Sequence, residues 1–286
     1  MTKRIEKELA NELTRTSHVD ASFLRNLYQN YRTLLPDKLR SFNKFLEWLV
    51  EIGLIKIERA PYKVAYIPSS SKSIFKRTTA FYENSYLSFL SAFYLHQLTL
   101  ETPKTIYITY EQFPKRMSKS VLTQQNIDIA FSKPIRPTKN VAKIGGYRVY
   151  FLNRKYSGNL GVKKVEFENE VISVTNLERT LIDALVRPEY SGGINRVVNA
   201  FKSARNRIIA TRTFLEIYAR LDYIYPYHQA IGFLLEKTNN PNKELIEKFF
   251  KMPKPFKFYL VHNIPKEKLE FNKKWNIYYP RFLHLN

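Results

Sequence analysis

Between Val174 and Ile194 the chain is punctuated more tightly than anywhere else in its 286 residues. Thr175 and Glu178 stand three apart, the spacing of a capping box in which a hydroxyl bonds a first-turn amide while the acid reaches back. Leu177, Leu181, Ile182 and Leu185 then recur at helical period and mark one apolar stripe. Pro188 blocks continuation, and Gly192-Gly193 permits a turn that residues bearing a Cβ resist. The spacing predicts a strand end, a short helix, a loop and a new helix start. Arg179 and Asp183 form an i, i+4 pair suited to a partly buried ion pair that pins the helix to neighbouring strands. Arg187, Tyr190, Gly192 and Gly193 shape the loop that follows.

The rest of the chain places this segment in an α+β fold. Residues 2–16 read as a helix through Ile5, Leu9 and Leu13, and Asp20 caps a second helix running to about Tyr31. A third starts between Asp37 and Phe42 and ends before Gly53. Leu54–Arg59 and Val64–Ile67 read as two strands joined by a turn at 60–63. Three helices and a hairpin predict a winged helix-turn-helix over residues 1–70. The polar run Pro68–Ser73 reads as a linker, and a larger domain is expected over 74–286. There Ser85–Leu98 reads as an amphipathic helix, Thr105–Thr109 as a strand, 121–131 as weakly strand-like and Gly145–Leu152 as a strand. A strand pair follows at 162–167 and 171–175, then helices at 177–187, 194–204, 212–219, 226–237 and 242–251. Extended segments at 256–261 and 275–279 close the chain. A strand-rich half before a helix-rich half argues for α+β and against a doubly wound sheet.

Charge narrows the class of partner. The net charge is +22, and residues 71–160 alone hold 14 Lys and Arg against 4 Asp and Glu. A positive field of this size favours polyanions, because each phosphate contact releases counterions. Arg40, Asn43 and Lys44 lie near the exposed start of the third helix if Leu39, Phe42, Leu46 and Leu49 pack inward. Arg and Asn are the types that bond guanine and adenine bidentately. Lys56, Arg59 and Lys63 on the hairpin are suited to phosphate or minor groove. Lys115, Arg116, Lys119, Lys133, Arg136, Lys139 and Lys143, interleaved with prolines, suggest solvent-facing loops or edge strands. They offer either a second DNA surface or a match to an acidic partner.

Other chemistries find little support. With zero Cys there are no disulfides and no thiol nucleophiles. No His-pair motif predicts a metal, and no Walker loop, Gly-x-Ser-x-Gly elbow or nuclease-like carboxylate set is present. No cofactor and no catalytic residue are therefore expected. Nothing reads as a signal peptide or membrane span, and the expected location is the cytoplasm.

The segment Val174-Thr-Asn-Leu-Glu-Arg-Thr-Leu-Ile-Asp-Ala-Leu-Val-Arg-Pro-Glu-Tyr-Ser-Gly-Gly-Ile194 resembles the signature of AbiEi-type antitoxins. Tyr86–Thr99 is similar to the same family's "SALxxHGLT" helix, with His96-Gln97 replacing His-Gly. Tyr227–Glu236 resembles its "RLGFLLE" helix, with Gln229-Ala230-Ile231 where an arginine beside the leucine is expected. The resemblance implies scaffold roles for Ser91, His96, Thr175, Glu178, Arg179, Asp183, Gly192 and Gly193. It also implies a repressor that binds repeats in its own promoter and counteracts a nucleotidyltransferase toxin without requiring a stable complex. The net charge of only +4 over residues 1–70 suggests tight DNA binding as a dimer or with help from the second domain. Two alternatives remain open: a ligand-sensing winged-helix regulator, and a nucleic-acid-processing enzyme.

Overall fold

The computed structural model describes residues 2–16, 18–114, 121–207 and 209–285 and has a mixed α+β architecture. It opens with α1 (Thr2–Arg15), α2 (Ala21–Tyr31) and α3 (Phe42–Glu51), followed by the antiparallel hairpin β1 (Ile55–Ala60) and β2 (Lys63–Pro68). Asp20 caps α2 by accepting from the Phe23 amide at 2.7 Å. Ile5, Leu9 and Leu13 of α1 meet Leu24 and Leu27 of α2 and Phe45, Trp48 and Leu49 of α3 in one buried cluster. Of the third-helix residues expected to pack inward, Leu39 and Leu49 are buried and Phe42 and Leu46 partly so. Phe45 and Trp48 carry much of that face instead.

The hairpin joins this cluster to the rest of the molecule. Ile55 belongs to the helical core, whereas Ala65 and Ile67 pack into a second cluster with Phe75, Phe81, Ile144 and Val149. The serine run after it is followed directly by α4 (Ile74–Thr79) and is tied down, since the Ser73 amide donates to Glu170 Oε2 at 2.6 Å.

Six strands form the central sheet: β3 (Tyr86–Leu87), β4 (Thr105–Glu111), β5 (Val141–Ile144), β6 (Tyr147–Arg154), β7 (Val162–Phe167) and β8 (Glu170–Thr175). Their order is β5-β6-β4-β3-β8-β7, with β4–β6 and β3–β8 parallel and the other pairings antiparallel. Gly145 and Gly146, expected inside a strand, make the β5–β6 turn with φ +54° and +84°. Where one amphipathic helix is expected over 85–98, the chain makes β3 and then the short α5 (Phe89–Leu95). Tyr86 and Leu87 are fully buried between two strands, and Phe89 through Phe93 are buried on every side. An apolar run without a polar face does not reveal its period. The weakly strand-like 121–131 forms α6 (Gln124–Phe131) instead, because Thr123 caps it through the Asn126 amide and Ile127 and Phe131 bury one face.

The second half is helical: α7 (Leu177–Val186), α8 (Ile194–Ala204), α9 (Thr211–Leu221), α10 (Tyr227–Lys237) and α11 (Lys243–Phe250). A small sheet of β9 (Phe258–Tyr259), β10 (Leu269–Asn272) and β11 (Ile277–Pro280) ends the chain, in the order β10-β11-β9. It docks on α10 at Gly232, where a Cβ would sit 2.0 Å from the Trp275 ring. Among the described residues no helix is long and apolar enough to cross a membrane.

Candidate functional site

Arg40, Asn43 and Lys44 are all exposed at the start of α3. Ser41 caps the helix by accepting from the Lys44 amide at 3.3 Å, and the Tyr28 hydroxyl donates to the Arg40 carbonyl. The backbone of the turn is thus anchored while its side chains stay in water. Arg40 pairs with Asp37 at 2.6 Å and Lys44 with Glu47 at 2.9 Å, all four groups more than 60% exposed. Ion pairs this wet contribute little and yield readily to a better anion.

The hairpin divides its own cations. Cross-strand register pairs Arg59 with Val64, Lys56 with Ile67 and Ala60 with Lys63. Because strand side chains alternate, Lys56 and Lys63 share the face of Ala65 and Ile67, and Arg59 projects from the opposite face with Ile55. On the first face Glu58 and Arg77 form a largely buried ion pair, and the Lys63 ammonium sits 5.7 Å over the Tyr82 ring. Arg59 alone of the three shares a face with the helical cluster.

Lys115, Arg116 and Lys119 lie outside the described residues. Lys133, Arg136 and Lys139 fall in the segment between α6 and β5, and Lys143 is exposed on β5, an edge of the main sheet.

The family-like residues are interior. The expected capping box does not form: Asn176, one residue later, caps α7 by accepting from the Arg179 amide at 2.9 Å. Thr175 remains the last, fully buried residue of β8, sharing a 2.7 Å hydroxyl contact with Thr180. Glu178 instead accepts from the Ala210 amide at 3.4 Å, tying α7 to the start of α9. Ser91 accepts from the Tyr107 amide at 2.9 Å. His96 Nε2 lies 2.6 Å from the Thr175 carbonyl, an acceptor only, so Nε2 carries the proton. Burial holds the His96 pKa below its ordinary value against the effect of that bond. Gly192 ends the turn after α7 in the left-handed region, and a Cβ there would lie 2.4 Å from Arg196 Cδ.

Arg179 and Asp183 are fully buried and paired at 2.9 Å. A third charge completes them, as Arg154 from the end of β6 reaches Asp183 Oδ1 at 2.6 Å and the Tyr223 hydroxyl at 2.6 Å. Burial works against the Arg154 charge, but Asp183, Tyr223 and Tyr86 outweigh it and raise its pKa. Burial also pushes the Tyr223 phenol up to about 12. Arg179 additionally donates to the Leu160 carbonyl, so one carboxylate locks α7 to β6 and to the loop before β7.

This network floors a cleft of about 850 Å³ between β6, α7 and the α9–α10 turn. Its cations are Arg136, Arg154, Lys155, Arg187 and Arg220, and its carboxylates are Asp183 and Asp222. Tyr156, Tyr190, Tyr223, Tyr225 and Tyr227 supply the aromatic lining. The Tyr190 hydroxyl accepts from the Thr138 amide at 3.1 Å and so holds the segment bearing Arg136 against the cleft.

The RV2827C protein from Mycobacterium tuberculosis, known from a crystal structure, has the same overall arrangement. The match covers 90% of this chain and 85% of that one, with a TM-score of 0.52 and 13% sequence identity. At that identity the likeness is one of fold. No protein-family model matches the chain, and no curated protein does.

Sequence reasoning misses Arg154 and Tyr223, and marks Gln229 only as a departure from the resemblance. Arg154 is at a strand end and Tyr223 in a turn, with no periodicity to join either to Asp183, 29 and 40 residues away. Gln229, at the position where an arginine is expected, donates to the carbonyls of Phe256, Trp275 and Asn276 at 2.8–3.1 Å. It clamps the C-terminal sheet to α10. His228 and His262 are likewise bonded to backbone carbonyls, of Pro253 and Ala130. Among the described residues no group of three His, Asp or Glu could hold a metal ion.

Proposed function

We propose that this protein is a DNA-binding transcriptional repressor and antitoxin of a type IV toxin–antitoxin operon. Residues 1–70 form its winged helix-turn-helix and 74–286 the domain that opposes a nucleotidyltransferase toxin. One observation carries the reading: three packed helices and a hairpin leave Arg40, Asn43 and Lys44 exposed on an anchored turn while their backbone is fixed from beneath. A recognition helix presents this end to base edges. Arg59, facing the same side of the hairpin as the helical cluster, is the wing contact the register favours over Lys56 and Lys63. The net charge of +22 supports a polyanionic partner. The motif residues Thr175, Glu178, Arg179 and Asp183 serve as scaffold, and the protein is not an enzyme. Cytoplasmic operation fits a chain without cysteine.

Binding to a labelled duplex from the region upstream of its own gene, read by fluorescence anisotropy at fixed salt, tests the DNA reading. The Arg40→Ala, Lys44→Ala double variant is expected to weaken binding by an order of magnitude or more. Unchanged affinity sinks the assignment. Antitoxicity is tested by co-expression with the neighbouring gene product: residues 74–286 are expected to contribute to growth rescue, and rescue by 1–70 alone contradicts the division of labour.

A further inference from the structure

We propose that the cleft between β6, α7 and the α9–α10 turn is a binding site for a free nucleoside triphosphate. The electrostatics call for an anion. Of the two carboxylates in the lining, Asp183 is already shared by Arg179 and Arg154, and Asp222 faces Lys155 at 3.6 Å. Arg136 and Arg220 have no acidic partner among the described residues, and Arg187 meets Glu189 only at 3.7 Å across half-exposed side chains. The Arg136 and Arg220 guanidiniums are therefore open to phosphate oxygens, which they bond bidentately, with Arg187 only loosely held beside them.

The lining calls for an aromatic ring on that anion. Tyr190, Tyr225 and Tyr227 line the wall, and Tyr156, 52% exposed, stands at the rim beside Lys155. A half-exposed aromatic at the mouth of a cationic cleft offers a face on which a base can stack. The floor is preorganised, because Arg154 is held by Asp183 and Tyr223 and does not have to be ordered by the ligand. The volume of about 850 Å³ lies in the range of small-molecule sites and is of the size a single nucleotide needs. The site is independent of the DNA reading of residues 1–70 and needs none of their side chains.

Isothermal titration calorimetry of the full-length protein tests this at physiological salt, with ATP, GTP, CTP and UTP in turn and inorganic tripolyphosphate as the phosphate-only probe. At least one nucleotide is expected to bind in the micromolar range and more tightly than tripolyphosphate. The Arg136→Ala, Arg220→Ala variant is expected to weaken it about tenfold or more. Tyr156→Ala should weaken it several-fold, with Tyr156→Phe retaining affinity. Lys243→Ala, Lys248→Ala, which removes two exposed lysines from α11, should leave binding unchanged. Absence of binding for all four nucleotides overturns the proposal. So does equal weakening by the α11 variant, which marks general attraction to a basic surface, or tripolyphosphate binding as tightly as the nucleotides. Displacement of bound nucleotide by a short DNA duplex also overturns it, making the cleft part of a nucleic-acid surface.

Discussion

The turn before α3 and the start of α7 use the same residue types for opposite ends. At the first, Arg40 and Lys44 pair with Asp37 and Glu47 in water; at the second, Arg179, Asp183 and Arg154 pair with no water access to the carboxylate. In high dielectric the exposed pairs contribute at most a few tenths of a kcal/mol to about 1 kcal/mol. In the interior, desolvation makes the group that is left behind expensive, so each partner is held in place by the others. Charge at the surface is available to a ligand, and charge in the network is committed to the fold. Arg179 and Asp183 of the family-like motif are thus committed to the interior, and Arg40 and Lys44 are left in water.

Removing the shared carboxylate should have the largest effect. Asp183→Ala leaves Arg179 and Arg154 buried without their anion, and a loss of about 3–5 kcal/mol is expected. Thermal melting by circular dichroism checks this, and a variant as stable as the parent would show that water enters the network. Next comes Gly232→Ala, which sets a methyl 2.0 Å from the Trp275 ring. Overpacking of this kind costs about 1–3 kcal/mol. Because Trp275 Nε1 donates to Glu236 at 2.8 Å, the ring has little freedom to retreat, and a red shift of tryptophan emission is expected with the loss.

How much of the fold is legible in the sequence follows from the range of each interaction. The strands 162–167 and the helices from 177 to 251 announce themselves through period, caps and breakers, all local signals. The helix α7 was legible but its cap was not, since Thr175 and Asn176 are both good cap residues and only burial of Thr175 against Thr180 decides between them. The helix within 121–131 is not legible for the converse reason: it depends on Ile127 and Phe131 meeting a distant core, and Phe131 stacks on His262 at 3.9 Å. The exposed position of Arg40 and Lys44 could be read from the apolar face of α3. The cleft could not, because Arg136, Arg154, Arg187 and Arg220 come from four separate stretches that only the tertiary fold assembles.

Acid offers a milder probe of the interior. His18, His96, His228 and His262 all have pKa values held below the ordinary 6.5, with burial the leading cause in each. The unfolded chain then binds more protons than the folded one just below pH 6.5, so stability is fully present above that value and falls as pH drops through the window between the two pKa values. A melting temperature that declines from pH 7 to pH 5 is expected. His96→Gln should reduce that decline because one buried site no longer titrates, while lowering stability at pH 7 through the lost bond to Thr175. A pH profile identical to the parent's would show that His96 is free to protonate in the fold.

The smallest expected effect is the most discriminating. Arg40→Ala with Lys44→Ala removes two surface pairs, and a stability change within about 0.5 kcal/mol is expected for substitutions of this kind. The Ser41 cap and the Tyr28 bond to the Arg40 carbonyl both survive, because they use the backbone and neighbouring side chains. If melting is unchanged while DNA binding is lost, the two cations act on a ligand. If melting falls by as much as in the Asp183 variant, the turn before α3 is structural in the same sense as the interior network. The contrast between exposed and buried charge would then fail at the place where it bears most on function.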